Sequence, residues 1–362
     1  MPFIEEILRH QSLSIVGLEK NTGKTVCLNY VLRRLHECGI PAAVTSIGVD
    51  GEQTDSVYAT AKPEITIYPK MQFLTSAKHY LQRRLISEII AVDEQSTSLG
   101  QLVRARAVSQ GKVLLSGAAT TEKLTQQIAE LVQERVPITI VDGALSRLSL
   151  ASPTVTDAMI LATGAAVSPN LQQLISKTRF YYQLINLQQF STNSVNSKAK
   201  THCDTPTIGL PQQLETLGSG IWAIDCEGQI HDLQIASVFL ITQNGKNLFR
   251  YGHTLYVTGA VSDRLLKQLT AQSKNEETLL IVRDFTKLFI TPEVYHDFCR
   301  HGGRIEVLQQ SKLIAICLNP TSPQGYRLDS KNACNALSDA LGIKVYDVME
   351  EGLHSNHNPQ HP

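Results

Sequence analysis

The chain has 362 residues, of which 42% are hydrophobic, so it can bury a substantial core without disulfides or structural metals. Its 33 basic and 33 acidic residues give a formal net charge of +0. This balance removes the broad electrostatic reason to bind nucleic acid or an anionic membrane. The length predicts two domains or one large domain.

The lack of recognisable targeting signals and the spacing of the cysteines predict a cytoplasmic protein. The sequence has no run of about eighteen apolar residues that could cross a bilayer. Residues 1–6 lack the basic and then apolar pattern of a signal peptide. The seven cysteines are scattered without a Cys-x-x-Cys pair, which favours reduced, packed thiols over disulfides or zinc sites. We expect neither a membrane nor a nucleic-acid partner.

The first half of the chain alternates short β-branched runs with segments of helical period. This alternation predicts an α/β fold with a mostly parallel sheet flanked by helices. The predicted strands are residues 12–16, 42–47, 101–108, 112–116, 138–141 and 158–162. The predicted helix contains Leu28, Val31, Leu32 and Leu35, which recur at i, i+3, i+4 and i+7. We expect it to end at the turn formed by residues 39–41.

A loop of residues 17–25 lies between the first predicted strand and this helix. Phosphate binding there requires backbone N–H groups at a helix N-terminus, a glycine, a lysine for the β- and γ-phosphates and a hydroxyl for magnesium. Gly23, Lys24 and Thr25 fill the last three roles. The predicted cofactor-binding residues are Gly17, Asn21, Thr22, Gly23, Lys24 and Thr25. The sequence predicts binding of ATP or GTP with Mg²⁺; an ordinary helix start is the structural alternative.

The loop departs from the usual spacing. Five residues separate Gly17 from Gly23 instead of four, and Leu18 occupies the expected glycine position. This spacing resembles that of dethiobiotin synthetases and cobyrinate diamide synthetases, which are related to the MinD and nitrogenase iron-protein ATPases. Lys20 lies four residues before Lys24, whereas the signature lysine of MinD-type dimers lies five before. We therefore do not expect a lysine that reaches across a dimer.

Acidic residues after two predicted strands are candidates for the magnesium site. Asp142 ends the strand 138–141 as a Walker-B residue would, and ligands bind at the carboxyl ends of strands in α/β sheets. We predict Asp142 in the outer shell of the metal, with a strand-end turn as the alternative. Asp50 or Asp55 in the segment 46–55 is predicted to orient a water or coordinate magnesium. A solvated turn remains open there.

These assignments define the predicted chemistry. The catalytic residues are Lys24, Asp50 and Asp142, and the metal-binding residues are Thr25, Asp50 and Asp142. Three arginines are candidates for neutralising phosphate charge, although surface solvation is the favoured role of each: Arg104, Arg106 and Arg147.

The second half of the chain predicts another, smaller α/β domain. Residues 188–206 are rich in small polar side chains and are predicted to be a linker between domains at 1–187 and 207–349. The predicted strands are 254–258, 278–282, 304–308 and 313–318, and the predicted helices are 262–269, 292–299 and 331–341. The tail 350–362 is predicted to be disordered. Segments 256–260, 283–284 and 319–326 end predicted strands and form either a ligand crevice or plain turns.

Five segments together carry a resemblance to a known family: VGLEKNTGKT at 16–25, TSIGVDGE at 45–52, VDGALSR at 141–147, ILATGA at 160–165 and NPTSPQGY at 319–326. They resemble the KamB-like subunit of lysine 5,6-aminomutase reactivase, a P-loop NTPase-like accessory protein. The resemblance implies slow Mg-ATP hydrolysis that reactivates or remodels an adenosylcobalamin-dependent aminomutase, together with a second reactivase subunit. No Asp-x-His-x-x-Gly motif is present, so we do not expect this chain to carry cobalamin.

Two other functions remain open, and so does the formation of a homodimer. The five-residue glycine spacing also fits an ATP-dependent ligase of the dethiobiotin synthetase or cobyrinate amidase type. The Leu18 departure and the missing signature lysine also fit a nucleotide-binding scaffold that does not hydrolyse its ligand.

Overall fold

The computed structural model describes residues 3–47, 64–97, 99–144, 151–191, 209–235, 247–274 and 276–350. The chain forms two compact units. Unit 1 comprises Met1–Arg179 and Lys312–Pro362, and unit 2 comprises Phe180–Ser311. Among the described residues, no helix is long and apolar enough to cross a bilayer.

Helices and strands alternate along the described parts of the chain. The α-helices are α1 (Ile4–Ile7), α2 (Lys24–Glu37), α3 (Ala77–Leu81), α4 (Thr121–Gln133), α5 (Leu171–Ile185), α6 (Leu210–Glu215), α7 (Asp263–Ser273), α8 (Pro292–Arg300) and α9 (Ser330–Leu341). The strands are β1 (Ser12–Gly17), β2 (Ala43–Ser46), β3 (Ile65–Ile67), β4 (Gln72–Ser76), β5 (Ser87–Thr97), β6 (Gly100–Ala107), β7 (Gly111–Val113), β8 (Thr139–Ala144), β9 (Ala158–Gly164), β10 (Ile221–Ile224), β11 (Ile230–Asp232), β12 (Thr254–Val257), β13 (Val261–Ser262), β14 (Thr278–Val282), β15 (Leu288–Phe289), β16 (Gly303–Val307), β17 (Lys312–Asn319) and β18 (Val345–Tyr346).

Unit 1 is built on a nine-stranded sheet with the order β18-β17-β9-β1-β8-β2-β4-β6-β5. Every neighbouring pair from β18 to β4 is parallel, and only β6 runs antiparallel to both of its neighbours. The mostly parallel α/β sheet predicted from the sequence is therefore confirmed. β1, the strand before the loop 17–25, lies near the middle of this sheet.

The helix after the loop packs on the sheet through the predicted apolar face. Four of its side chains are fully buried and belong to one core cluster with Leu13 and Ile15 of β1: Leu28, Val31, Leu32 and Leu35. The helix ends at Glu37, and Gly39 follows with φ 71°. A left-handed φ is accessible to glycine at little cost, so the chain can turn there into β2.

One predicted strand is shorter than expected. Of residues 112–116, only the start forms β7, which pairs with β3 in a separate two-stranded sheet. Beyond Val113 the backbone forms hydrogen bonds with a side chain instead of a neighbouring strand. Thr75 Oγ1 donates to Leu114 O and accepts from Ser116 N. Such side-chain bonds compete with the regular ladder of a sheet.

Unit 2 contains a five-stranded sheet with the order β11-β10-β12-β14-β16. β12, β14 and β16 are parallel, whereas β10 is antiparallel to both β11 and β12. Helix α7 follows β12 and helix α8 follows β14 in the chain, as expected for crossovers between parallel strands. The strands predicted at 254–258, 278–282 and 304–308 are therefore present in a second α/β unit.

The division between the units differs from the predicted domains at 1–187 and 207–349. The chain enters unit 2 within α5 and returns to unit 1 at Lys312. β17 pairs with β9 from Lys312 to Asn319, so residues 312–349 complete the large sheet. A strand's apolar pattern shows that it is buried but not which sheet it joins, and sequence order misassigned this segment.

The predicted linker begins too early in the chain, because its first residues are part of a folded unit. Phe190 is buried in the core of unit 2, and its N–H donates to Val307 O at 2.7 Å. Residues 188–190 are therefore part of unit 2, whereas 192–208 lie outside the described residues. The tail predicted at 350–362 also lies outside them, except for Glu350.

Candidate functional site

The loop between β1 and α2 turns back on itself and is fixed to the sheet. The N–H of Leu18 donates to Ala162 O of β9 at 2.9 Å, and Thr22 Oγ1 donates to Glu19 O at 3.0 Å. Leu18 and Thr22 are both buried, whereas Asn21 is exposed. Leu18 thus anchors the loop in the core, which explains why the expected glycine position holds an apolar residue.

Two glycines are required by close approaches of other groups. A Cβ on Gly17 would lie 2.4 Å from Thr22 Oγ1, and a Cβ on Gly23 would lie 2.6 Å from Asn319 Cβ. Gly23 also has φ 84° and stands as the N-cap of α2. Both positions predicted from the loop motif therefore need glycine in this structure.

The N-terminus of α2 carries features that favour an anion. No side chain caps it by a hydrogen bond, and no acidic residue lies in its first turn. The first N–H groups of a helix lack intrahelical partners, and they carry the positive end of the helix dipole. Lys24 and Thr25, the first two residues of α2, lie at this end.

Lys24 and Asp142 meet at the carboxyl ends of neighbouring strands. Lys24 Nζ lies 3.1 Å from Asp142 Oδ1, and the two side chains are 24% and 19% exposed. Asp142 is in register with Ile15 of β1 and with Ser46 of β2, whose Oγ donates to Asp142 O at 3.2 Å. The structure thus brings together two residues that are 118 positions apart in the sequence.

The Lys24 ammonium balances the charge of the Asp142 carboxylate. Its Oδ1 is within ion-pair distance of Lys24 Nζ, yet this buried atom forms no hydrogen bond with the described residues. A buried carboxylate oxygen without a hydrogen bond is costly unless another group binds it. Carboxylate oxygens are ligands that Mg²⁺ prefers, usually one or two per site together with substrate phosphates. Thr25, Asp142 and the α2 N-terminus therefore fit a Mg-nucleotide.

Two further residues contact the loop, and the sequence did not assign them this role. Lys177 Nζ of α5 donates to Val167 O at 3.0 Å and to Glu19 Oε1 at 3.3 Å. Asn319, at the end of β17, donates from Nδ2 to Asn21 O at 3.2 Å. The segment 319–326 was predicted to follow a strand, but its place beside the loop depends on the pairing of β17 with β9.

A small surface depression adjoins the loop on the β17 side. Residues of the loop, of α2, of β17 and of the C-terminal part of unit 1 line it: Thr22, Gly23, Val26, Cys317, Leu318, Asn319, Val348 and Met349. Cys317, one of the lining residues, accepts a hydrogen bond from Cys27 Sγ at 3.4 Å. This hydrogen bond and burial raise the pKa of the Cys317 thiol well above its ordinary value, so the sulfur stays protonated at neutral pH. Each of the six described cysteines is a thiol and not part of a disulfide bond.

The remaining predicted residues either lie outside the described part of the chain or are placed away from Lys24 and Asp142. Asp50, Asp55 and Arg147 lie outside the described residues. Arg104 forms an ion pair with Glu134 at 2.6 Å, on a strand three places from β8 in the sheet order. Arg106 lies exposed on that same strand.

In unit 2, the predicted crevice residues 283–284 form a local turn. Asp284 Oδ1 accepts from Thr286 N at 3.0 Å, and Oδ2 lies 3.3 Å from Arg283 Nε. Asp284 is fully buried within these bonds. The turn interpretation accounts for this carboxylate without a ligand.

Comparisons of the chain with protein-family models, curated proteins and solved structures find no match. The resemblance to a reactivase subunit therefore stays a prediction. The geometry around Lys24 and Asp142 is the basis for a function.

Proposed function

We propose that this chain has a P-loop NTPase-like fold and binds a nucleoside triphosphate with Mg²⁺, ATP being favoured, at residues 17–25 of unit 1. One observation carries the proposal. Lys24 Nζ lies 3.1 Å from Asp142 Oδ1 at the N-terminus of α2, and this buried oxygen forms no hydrogen bond within the described part of the chain. A helix N-terminus, a lysine and a strand-end carboxylate are the groups that phosphate and magnesium together require.

Each residue has a distinct part in this proposal. The N–H groups of the first turn of α2 bind phosphate oxygens, and Lys24 neutralises their charge. Thr25 and Asp142 hold the metal, which when bound neutralises charge on the β- and γ-phosphates. The Lys24–Asp142 ion pair places the lysine ammonium at the strand ends, where phosphate would replace the carboxylate as its partner.

We further propose slow hydrolysis that serves a protein client. The support is the resemblance of five segments to a reactivase subunit, which implies an adenosylcobalamin-dependent aminomutase as client and a second subunit as partner. A nucleotide that binds two conformations unequally can shift their populations and thereby act on a client. The test is recovery of an inactivated aminomutase by this chain with Mg-ATP, the Lys24→Ala variant serving as control. Equal recovery with both proteins would refute a nucleotide-driven role.

A ligase remains the second candidate because one specific observation favours it. The loop has five residues between Gly17 and Gly23, as in the dethiobiotin synthetase and cobyrinate amidase type. A ligase would release ADP only when a carboxylic-acid substrate is added, whereas a client-driven NTPase would release it on addition of the client. Binding without ADP release under either condition would favour a scaffold.

Nucleotide binding itself is tested by thermal unfolding of the wild type and Lys24→Ala with Mg²⁺ and ATP, GTP or neither. A ligand at a hundred times its Kd stabilises the native state by about 2.7 kcal/mol, which raises the unfolding midpoint by several degrees. We expect this rise in the wild type and its loss in Lys24→Ala. Lys331→Ala is the matched control, because Lys331 is exposed on α9.

The outcomes separate the site from nonspecific effects. A rise that persists in Lys24→Ala would place the nucleotide elsewhere. No rise with either nucleotide in the wild type would leave residues 17–25 as an ordinary strand-to-helix turn. A rise with only one nucleotide would identify the base.

A further inference from the structure

Both polar atoms of the Asn319 side-chain amide form hydrogen bonds. Its Oδ1 accepts from Thr321 N at 3.2 Å, and its Nδ2 donates to Asn21 O at 3.2 Å. The oxygen is paired with a hydrogen-bond donor and the nitrogen with an acceptor, and this defines the orientation of the amide. Asn319 connects the end of β17 to the loop before α2, although nearly 300 residues separate the two in the chain.

The backbone of Asn319 is held by the neighbouring strand. Asn319 O accepts from Ala165 N at 2.9 Å, and Asn319 is in register with Gly164 of β9. A Cβ on Gly164 would lie 2.1 Å from Asn319 O, so the two backbones approach too closely for any other residue there. The sheet thereby provides a rigid base from which the Asn319 side chain reaches the loop.

The loop needs such support because of its backbone conformation. Asn21 has φ 63° and Gly23 has φ 84°, so two of three consecutive residues are left-handed. The left-handed region is unfavourable for residues other than glycine, although asparagine adopts it more readily than most. The three nearest atoms to a Cβ built on Gly23 are Cβ, Cγ and Nδ2 of Asn319. Asn319 therefore contacts the loop on both sides of Thr22.

We propose that Asn319 is a positioning residue for the phosphate-binding loop. It acts through the Asn21 carbonyl and the Gly23 backbone, so its effect is on the phosphates of the ligand and not on the base. The inference rests on the proposed function. Asparagine amides can also pair with the edge of adenine. A base-reading role is the alternative that the experiment distinguishes.

The binding experiment compares ATP with inorganic tripolyphosphate, both with Mg²⁺, by calorimetry. The variants are Asn319→Ala and Asn319→Leu, the latter keeping a side chain of similar size without hydrogen bonds. We expect both variants to bind ATP and tripolyphosphate with lower affinity, by the same factor of about fivefold for the loss of one hydrogen bond. Asn332→Ala, an exposed asparagine of α9, is the control that leaves both affinities unchanged. Weaker ATP binding with unchanged tripolyphosphate binding would overturn the proposal.

Hydrogen exchange without nucleotide tests the same inference independently of ligand binding. We expect amides 18–23 to exchange several-fold faster in Asn319→Ala than in the wild type, while exchange in β12 and β14 of unit 2 stays unchanged. A general loss of stability would instead speed exchange throughout the protein. Unchanged exchange at 18–23 would overturn the positioning role, whereas absence of ATP binding by the wild type would refute only the proposed function.

Discussion

At the scale of residues, the candidate site depends on a small number of atoms in constrained positions. Gly17 and Gly23 are sterically required, and Lys24 stands at a helix N-terminus that no side chain caps. Asp142 has a buried oxygen that forms no hydrogen bond with the residues that the structure describes. Each feature by itself has an ordinary structural explanation. Lys24, which follows Gly23, lies within ion-pair distance of Asp142, and this combination supports the proposed site for a magnesium-bound anion.

Asp142→Asn tests the metal assignment. The substitution keeps the size of the side chain but removes its charge, so we expect it to abolish the additional stabilisation that Mg²⁺ gives to the nucleotide complex. Nucleotide affinity in EDTA should remain or rise, because Lys24 loses the carboxylate that competes with phosphate. The measurement is the unfolding midpoint with ATP, in the presence of Mg²⁺ or EDTA. The exposed Asp339→Asn is the control, and a full magnesium effect in Asp142→Asn would contradict the assignment.

At the scale of elements, a buried polar network holds the segment after β7 against the end of β4. Ser116 Oγ accepts from Ser76 N at 2.9 Å and donates to Ser76 Oγ at 2.8 Å. It also lies 3.0 Å from His79 Nδ1 and 3.2 Å from Thr75 Oγ1. The next residue, Gly117, packs so closely on Ser46 that a Cβ would lie 1.4 Å from Ser46 O. This network therefore supports β2 beside Asp142.

Ser116→Ala tests the contribution of that network. The loss of the Ser116 hydroxyl removes a partner from several buried polar groups at once. Each group left without a hydrogen bond costs about 1–3 kcal/mol. We expect the free energy of unfolding, measured in urea, to fall by roughly 2–4 kcal/mol, below a simple sum because neighbouring groups can re-pair. Ser109→Ala is the matched control, since Ser109 Oγ accepts one exposed bond from Ile86 N. Equal losses in the two variants would contradict a cooperative network.

At the scale of the whole molecule, unit 1 is discontinuous in sequence. Residues 312–350 supply β17, α9 and β18, and β17 covers the edge of β9 next to the central strand β1. Asn319 and the depression beside the loop exist only because the chain returns to this sheet after unit 2. The candidate site is thus completed by the last part of the chain, although its motif lies near the beginning.

Two truncated chains test this division. One joins residues 1–179 to 312–362 through a short flexible linker, and the other ends at residue 206. We expect the first to unfold cooperatively in urea with helical and strand signals in circular dichroism. The second should fail to fold, because the apolar strand β9 is left as an exposed edge. Cooperative folding of the chain ending at 206 would show that residues 312–350 are dispensable for unit 1.

Short stretches of sequence were enough to predict the local features: the strand, loop and helix around residues 12–37, the alternation of elements, and the glycine, lysine and threonine of the loop. These follow from periodicity and residue chemistry within short windows. By contrast, the pairing of β17 with β9 and the contact of Asn319 with the loop are visible in the folded structure and were not predicted. Apolar patterns specify that strands are buried but not their neighbours, because pairing partners far apart in sequence leave no local signal.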